Sequence, residues 1–262
     1  LTPRYQRTDR GPPRYYRAVA AIDGGDKATL LALLGEDPSL AGARGYLDDS
    51  GPMEGATLLH HIAGEPQRTR LPDNIGELAD VLLDAGSDPD AETVSGWSTI
   101  GLLTISHQAE LFDLAEPLMQ VLADAGASFN TGNGRLLWQA LAQWRAPDLE
   151  LAERLVAFGA ETDLRFAAAL GDLDGMRGFF DTDGALSVSA GRLFRPSGAD
   201  TERTAALLSD QQVLDEAFSY AVYTGQLEAA AWLVERGADL DSRPAYVLDF
   251  PSGPDLGFTA LH

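Results

Sequence analysis

A chain of 262 residues with 45% hydrophobic side chains is long enough to bury a sizeable core, and 40 acidic against 19 basic residues leave it with a net charge of −21. So acidic a surface repels phosphate backbones, which argues against direct nucleic-acid binding. The absence of cysteine excludes disulfides and thiol catalysis, no apolar run approaches the ~18 residues of a membrane span, and no secretory pattern opens the sequence, so a cytoplasmic setting is expected.

Residues 1–15 read as a basic arm rich in Arg and Tyr. Over residues 1–17, Arg4, Arg7, Arg10, Arg14 and Arg17 stand against Asp9 alone, a net +4 that leaves −25 on the rest of the chain. The arm either docks on the acidic body or is solvated. The alternative is that Tyr5, Tyr15 and Tyr16 with their arginines hold an acidic partner, and membrane-surface binding ranks last because no amphipathic helix accompanies the charge. Helical hairpins follow. The first covers residues 16–34, with Leu30, Leu31, Leu33 and Leu34 as the apolar stripe of its second helix. The second pairs a helix over 57–64 with one over 75–85, with 65–73 inserted between them. The third spans 98–125 and places Pro117 in the first turn of its second helix. The fourth covers 135–158 and the fifth 164–180. Residues 181–212, with Gly184, Gly191, Pro196 and Gly198, form an irregular insertion. A sixth hairpin spans 213–236, and a seventh begins at Gly257.

The units carry a common tag. Leu233-Val234-Glu235-Arg236-Gly237-Ala238-Asp239 returns in altered form as Leu82 to Asp88, Leu122 to Ser128 and Leu155 to Glu161. The glycines at 86, 126, 159 and 237 are separated by 40, 33 and 78 residues. The last interval is about twice the others and predicts a hidden copy, which Phe179 to Ala185 with Gly184 fills. Each glycine stands where a helix must turn out through a left-handed residue. A second signature precedes the first helix. Gly55-Ala56-Thr57-Leu58-Leu59-His60 and Gly257-Phe258-Thr259-Ala260-Leu261-His262 suit a cap in which Thr and the His three positions on exchange hydrogen bonds. Weaker versions open at Gly96 and Gly134.

On these residues the chain resembles the ankyrin-repeat family, with degenerate, bacterial-type repeats over residues 16–262. The resemblance is most specific at 55–90 and 215–262. It implies an all-α solenoid of stacked helix-turn-helix units with short hairpin-like fingertips, about six repeats and the start of a seventh. It also implies which positions face a concave surface. Fingertip slots hold Ala56, Trp97, Arg135 and Phe258, and first-helix slots hold His61, Leu102, Ser106, Gln143, Trp144, Phe166, Tyr220 and Tyr223. The expected partner-binding set is His61, Trp97, Trp144, Phe166, Tyr220, Tyr223 and Phe258, because exposed aromatic side chains are favoured in interface hot spots. Space-filling in irregular repeats is an equal reading for Trp144 and Phe166. His60 and His262 occupy the structural slot, and Trp138 and Trp232 read as core.

Chemistry-bearing motifs are sparse. There is no Gly-x-Ser-x-Gly elbow, phosphate-binding loop or His-Glu-x-x-His, and the four histidines offer no local chelate, so no metal, cofactor or catalytic residue is expected. Asp181-Thr182-Asp183-Gly184 begins like a calcium loop but has Arg192 where a bidentate Glu belongs. Asp88, Asp90, Asp239 and Asp241 read as turn residues. The expected function is a protein–protein interaction module with an acidic, partly aromatic concave face and a basic protein partner, its oligomeric state left open. Two alternatives stand beside it. One is an enzyme of cyclase or hydrolase type with a concave pocket built on His61, His107 or Tyr220. The other is an acidic inhibitor that mimics nucleic acid.

Overall fold

The computed structural model of the chain describes residues 13–46, 52–63, 70–106, 109, 113–142, 146–193 and 208–242. Arg4, Tyr5, Arg7, Arg10, His107, Gln143, Trp144, residues 194–207 of the insertion with Pro196 and Gly198, and the segment with Phe258 and His262 lie outside the described residues. The protein is mostly helical. It divides into two compact units, Leu1–Thr131 and Gly132–His262.

The first unit opens with α1 (Pro13–Asp23), which begins inside the expected arm because proline suits a first helical turn. Its apolar positions Tyr15, Ala18, Val19 and Ile22 recur at helical spacing and are fully buried, while Arg14 and Arg17 point outward. Those arginines disguise the amphipathic stripe in the sequence. Gly25 ends α1, and Asp26 begins α2 (Lys27–Glu36) by accepting from the Thr29 N–H and hydroxyl, which hold its carboxylate below the usual range. Leu30, Leu33 and Leu34 face inward, whereas Leu31 is 51% exposed on the opposite face.

Strands β1 (Gly45–Tyr46) and β2 (Glu54–Ala56) form a short antiparallel fingertip, irregular between Gly45 and Tyr46. The helix expected over 57–64 is a five-residue 3-10 turn, Leu59–Ala63. It packs on α3 (Ile75–Asp84) and on α4 (Thr99–Thr104), whose Ser98 cap accepts from the Gly101 N–H. A second fingertip is closed by a bridge between Glu92 and Ser98. It is tied to the first by the Val94 N–H donating to the Glu54 carbonyl at 2.8 Å, and by Arg44 Nη1 donating to the Gly55 and Glu92 carbonyls at 2.7 and 2.6 Å. Helix α5 (Ala115–Asp124) packs on α3 and α4, with Pro117 in its first turn as expected.

The second unit comprises α6 (Arg135–Ala142), α7 (Leu149–Ala157), α8 (Leu164–Leu170), α9 (Leu173–Arg177), α10 (Asp210–Tyr223) and α11 (Leu227–Val234). Its core lies between α8 and α10, where Ala167, Ala168, Ala217 and Ala221 let the helices approach closely around Leu164, Met176, Phe218 and Leu233. A capping box starts α10, with Ser209 accepting from the Gln212 N–H and the Gln212 side chain accepting from the Ser209 N–H. The first part of the insertion belongs to the fold. A 3-10 turn, Val188–Gly191, buries Ala190, and Leu193 is buried beyond it.

One device closes the helices at all four tag glycines. The N–H of Gly86, Gly126, Gly159 and Gly237 donates to the carbonyl three residues back, and the next N–H donates to the carbonyl five residues before it, as in Ser87 N to Leu82 O at 3.0 Å. All four have φ between +84° and +99°. Gly184 departs from the expected hidden copy. Its φ is positive, but α9 has already ended at Arg177, and Gly184 lies in a turn where Asp181 Oδ1 accepts from the Asp183 and Ala185 N–H groups beside the Phe180–Leu186 bridge. The carboxylate there closes a hairpin rather than a helix.

Two glycine substitutions separate backbone from packing effects. At Gly86 an added Cβ meets nothing within 4 Å, so Gly86→Ala should cost only the left-handed penalty, about 1–2 kcal/mol. At Gly45 an added Cβ would sit 2.1 Å from Tyr15 Cε1. Gly45→Ala should cost more, about 3 kcal/mol, since the buried ring must move. Denaturant unfolding of the two variants checks the order.

Candidate functional site

A set of buried polar side chains in the first unit meets at the 3-10 turn Leu59–Ala63. Thr57 donates from both its backbone N–H and its hydroxyl to His60 Nδ1, at 3.1 and 2.8 Å. Because Nδ1 accepts, the ring proton sits on Nε2, which donates to the Trp97 carbonyl at 3.0 Å. That carbonyl also accepts from the Thr93 N–H, and the Trp97 N–H returns to Thr93 Oγ1. The direction of the Thr–His exchange thus reverses the simple capping expectation: the imidazole is the acceptor. Burial, aided by the nearby Arg44 charge, pushes the His60 pKa down to about 4 despite the bond to Trp97, which favours the charged ring.

His61 was expected in an open groove, yet it is only 4% exposed. The Tyr15 hydroxyl from α1 gives its proton to the Ala56 carbonyl at 2.6 Å, so His61 Nε2 is the donor to the Tyr15 oxygen at 2.9 Å. The two rings meet edge to face. Helix α1, which the sequence suggested was partly arm, therefore covers this histidine.

In the second unit, Phe166 and Tyr220 are also buried, at 0% and 3%, and meet edge to face at 5.9 Å. The cause is a fully buried arginine that sequence reading missed. The Arg165 guanidinium lies 4.2 Å from the Phe166 ring centroid and 5.7 Å from that of Tyr220. Its Nε donates to Asp163 at 3.3 Å and Nη1 to Glu216 at 3.2 Å. Burial alone would lower the Arg165 pKa, but the charges of Asp163 and Glu216 outweigh it and hold the pKa above its ordinary value. Asp163 also caps α8 through the Phe166 N–H. The aromatic pair lines this charge cluster, so it is buried beside Arg165 and is not part of an open binding face. The one legible signal was an Asp-x-Arg at a helix start with a Glu on the helix that packs against it.

Trp97 and Tyr223 remain partly exposed, in the first and second units respectively. Burial raises the Tyr223 pKa. Trp138 is half-buried, and Trp232 lies partly exposed against the core rather than within it. Trp144 and Phe258 lie outside the described residues. Among the described residues no group of three or more His, Asp or Glu side chains is arranged to hold a metal ion. No described helix is long and apolar enough to cross a membrane. Comparison with protein-family models and with curated proteins gives no match.

Both buried clusters have measurable consequences. The native state resists protonation of His60, so the unfolded state binds a proton first as pH falls. The resulting stability is complete above about pH 6.5 and declines down to pH 4, by about 3 kcal/mol in all. Subtracting the pH profile of His60→Gln from that of the wild type should isolate this slope. Arg165→Ala strands two buried carboxylates and should cost about 3–5 kcal/mol. Glu216→Gln leaves Asp163 to balance the guanidinium and should cost markedly less, as read by chemical denaturation.

Proposed function

We propose that the chain is an ankyrin-type repeat array whose role is to bind another protein. The observation that carries this reading is the repetition of one closure at Gly86, Gly126, Gly159 and Gly237, joined in the first unit by polar links from one hairpin to the next. His60 reaches the Trp97 carbonyl, Arg44 ties two fingertips, and Asp90 Oδ1 accepts from the Ser128 N–H at 2.7 Å. Such links hold successive hairpins in fixed register. A rigid series of hairpins presents side chains at regular spacing over a long surface, which suits recognition of a protein without a deep pocket.

The residues assigned to contact narrow accordingly. Trp97 and Tyr223 remain as accessible aromatic contacts in their own units, while His61, Phe166 and Tyr220 act by fixing the frame beneath it. The net charge of −21 favours a basic partner, which would be drawn in electrostatically and released by salt.

The test is affinity capture with the full chain, with Trp97→Ala and with Tyr223→Ala, across a salt series. The expected result is one reproducible basic partner whose association rate falls as salt rises, and whose binding weakens at least about tenfold in Trp97→Ala, an aromatic anchor being worth about 2 kcal/mol. A partner bound equally well by both variants would refute the assigned contacts. No salt-sensitive partner under any condition would refute the binding role.

A further inference from the structure

One exposed arginine of the second unit lies on an aromatic platform. Arg236, just beyond α11, lies with its guanidinium carbon 3.5 Å from the Trp232 ring centroid and 6.0 Å from that of Phe180. Its Nη1 donates to the Trp232 carbonyl at 3.1 Å. Phe180 and Trp232 meet edge to face at 5.3 Å, and both pack against the core between α8 and α10, so this platform is anchored from below. Arg14, Arg70, Arg154, Arg165, Arg177 and Arg192 each pair with a carboxylate. Among the described residues none pairs with Arg236, in a chain where acids outnumber bases 40 to 19. A guanidinium has five N–H donors, and this one commits a single nitrogen to the protein while an indole fixes its plane.

An open groove of about 540 Å³ lies over the platform, its walls including Arg177, Asp181, Thr182 and Glu235. The charges there differ in availability. Arg177 is engaged by Asp174, and Asp181 Oδ1 is occupied by two N–H groups of its own turn. Glu235 and Asp181 repel a run of acidic residues, as does the charge of the whole chain. A lone carboxylate meets the oriented fork of Arg236, which matches it bidentately.

We propose that this groove docks a peptide segment of a protein partner that presents one carboxylate side chain between apolar residues. The carboxylate pairs with Arg236, and the flanking residues lie on Phe180 and Trp232. The proposal rests on the protein-binding reading above and names the contact chemistry for one surface. It is compatible with a partner that is basic overall, since a single acidic side chain enters locally.

The probe is a blocked peptide pool of the form X-X-Glu-X-X, with X apolar or aromatic, against the same pool with Gln at the centre. Retention is measured on the immobilised full chain and on Arg236→Ala, Arg236→Lys and Trp97→Ala, each verified as folded by circular dichroism. The expected result is that the Glu pool is retained at least about tenfold better than the Gln pool, the worth of one charge-assisted pair. That preference should vanish in Arg236→Ala, shrink in Arg236→Lys, which keeps the charge without the planar fork, and persist in Trp97→Ala. Equal retention of the two pools, retention of neither, or a preference that survives Arg236→Ala overturns the groove assignment. If a Trp97-dependent partner is still captured in those cases, the binding-module reading stands and only the groove fails; if none is captured, both fail.

Discussion

The constraint on which this fold depends is the satisfaction of backbone groups at helix ends. An α-helix leaves four N–H and four C=O groups without internal partners, whatever its length. The helices here run from five residues in α9 to fourteen in α10, and α8 has seven. In such short elements nearly every backbone group is an end group, so helix propensity cannot hold the structure and the turns must. They do so in two ways. Tag glycines close the second helices, while Gly25, Gly171 and Gly225 close first helices with the same pair of bonds. The residue after each of these is Asp26, Asp172 or Gln226, and the two aspartates cap the next helix in turn. One residue thereby finishes one helix and begins another.

Tight reversals of this kind also bring neighbouring turns together. The Asn74 side chain donates to the Gly25 carbonyl, and a Cβ at Gly25 would fall 2.7 Å from Asn74 Oδ1. At Gly171 the corresponding neighbour is Gln226 Oε1, at 2.6 Å from the same hypothetical atom. Each glycine therefore does two things: it adopts a backbone that other residues resist, and it admits the adjacent hairpin. Polar side chains bury themselves along these seams because both of their ends find partners, as His60 and Arg165 do, and the desolvation they incur is offset by bonds that only the correct register supplies.

Much of the architecture was legible in the sequence for this reason. The tag glycines, the pairing of Thr57 with His60, Pro117, the second helix of the second hairpin and the helices of the third and sixth hairpins follow from local rules of capping and backbone freedom, which neighbouring residues encode. The Gly-Asp turns at 25 and 171 are equally local, each encoded by two adjacent residues that lie outside the tag. The candidate site was far less legible. Whether His61, Phe166 or Tyr220 meets water depends on Tyr15 in another helix and on Arg165, contacts made 46 and 51 residues apart in the chain for Tyr15–His61 and Arg165–Glu216. Gly184 shows the same limit in reverse. Its spacing and conformation fit the tag, but Asp181, three residues earlier, commits the segment to a hairpin turn.

The ring of His60 has a further consequence for how the first unit comes apart. One of its nitrogens belongs to its own hairpin through Thr57, and the other to the following fingertip through the Trp97 carbonyl. Opening of the following fingertip takes the acceptor from the buried Nε2, and opening of the His60 hairpin removes one of the two donors on the Trp97 carbonyl. The histidine thus acts as a coupling element between adjacent hairpins, and it converts what could be a sequence of independent local openings into a concerted one.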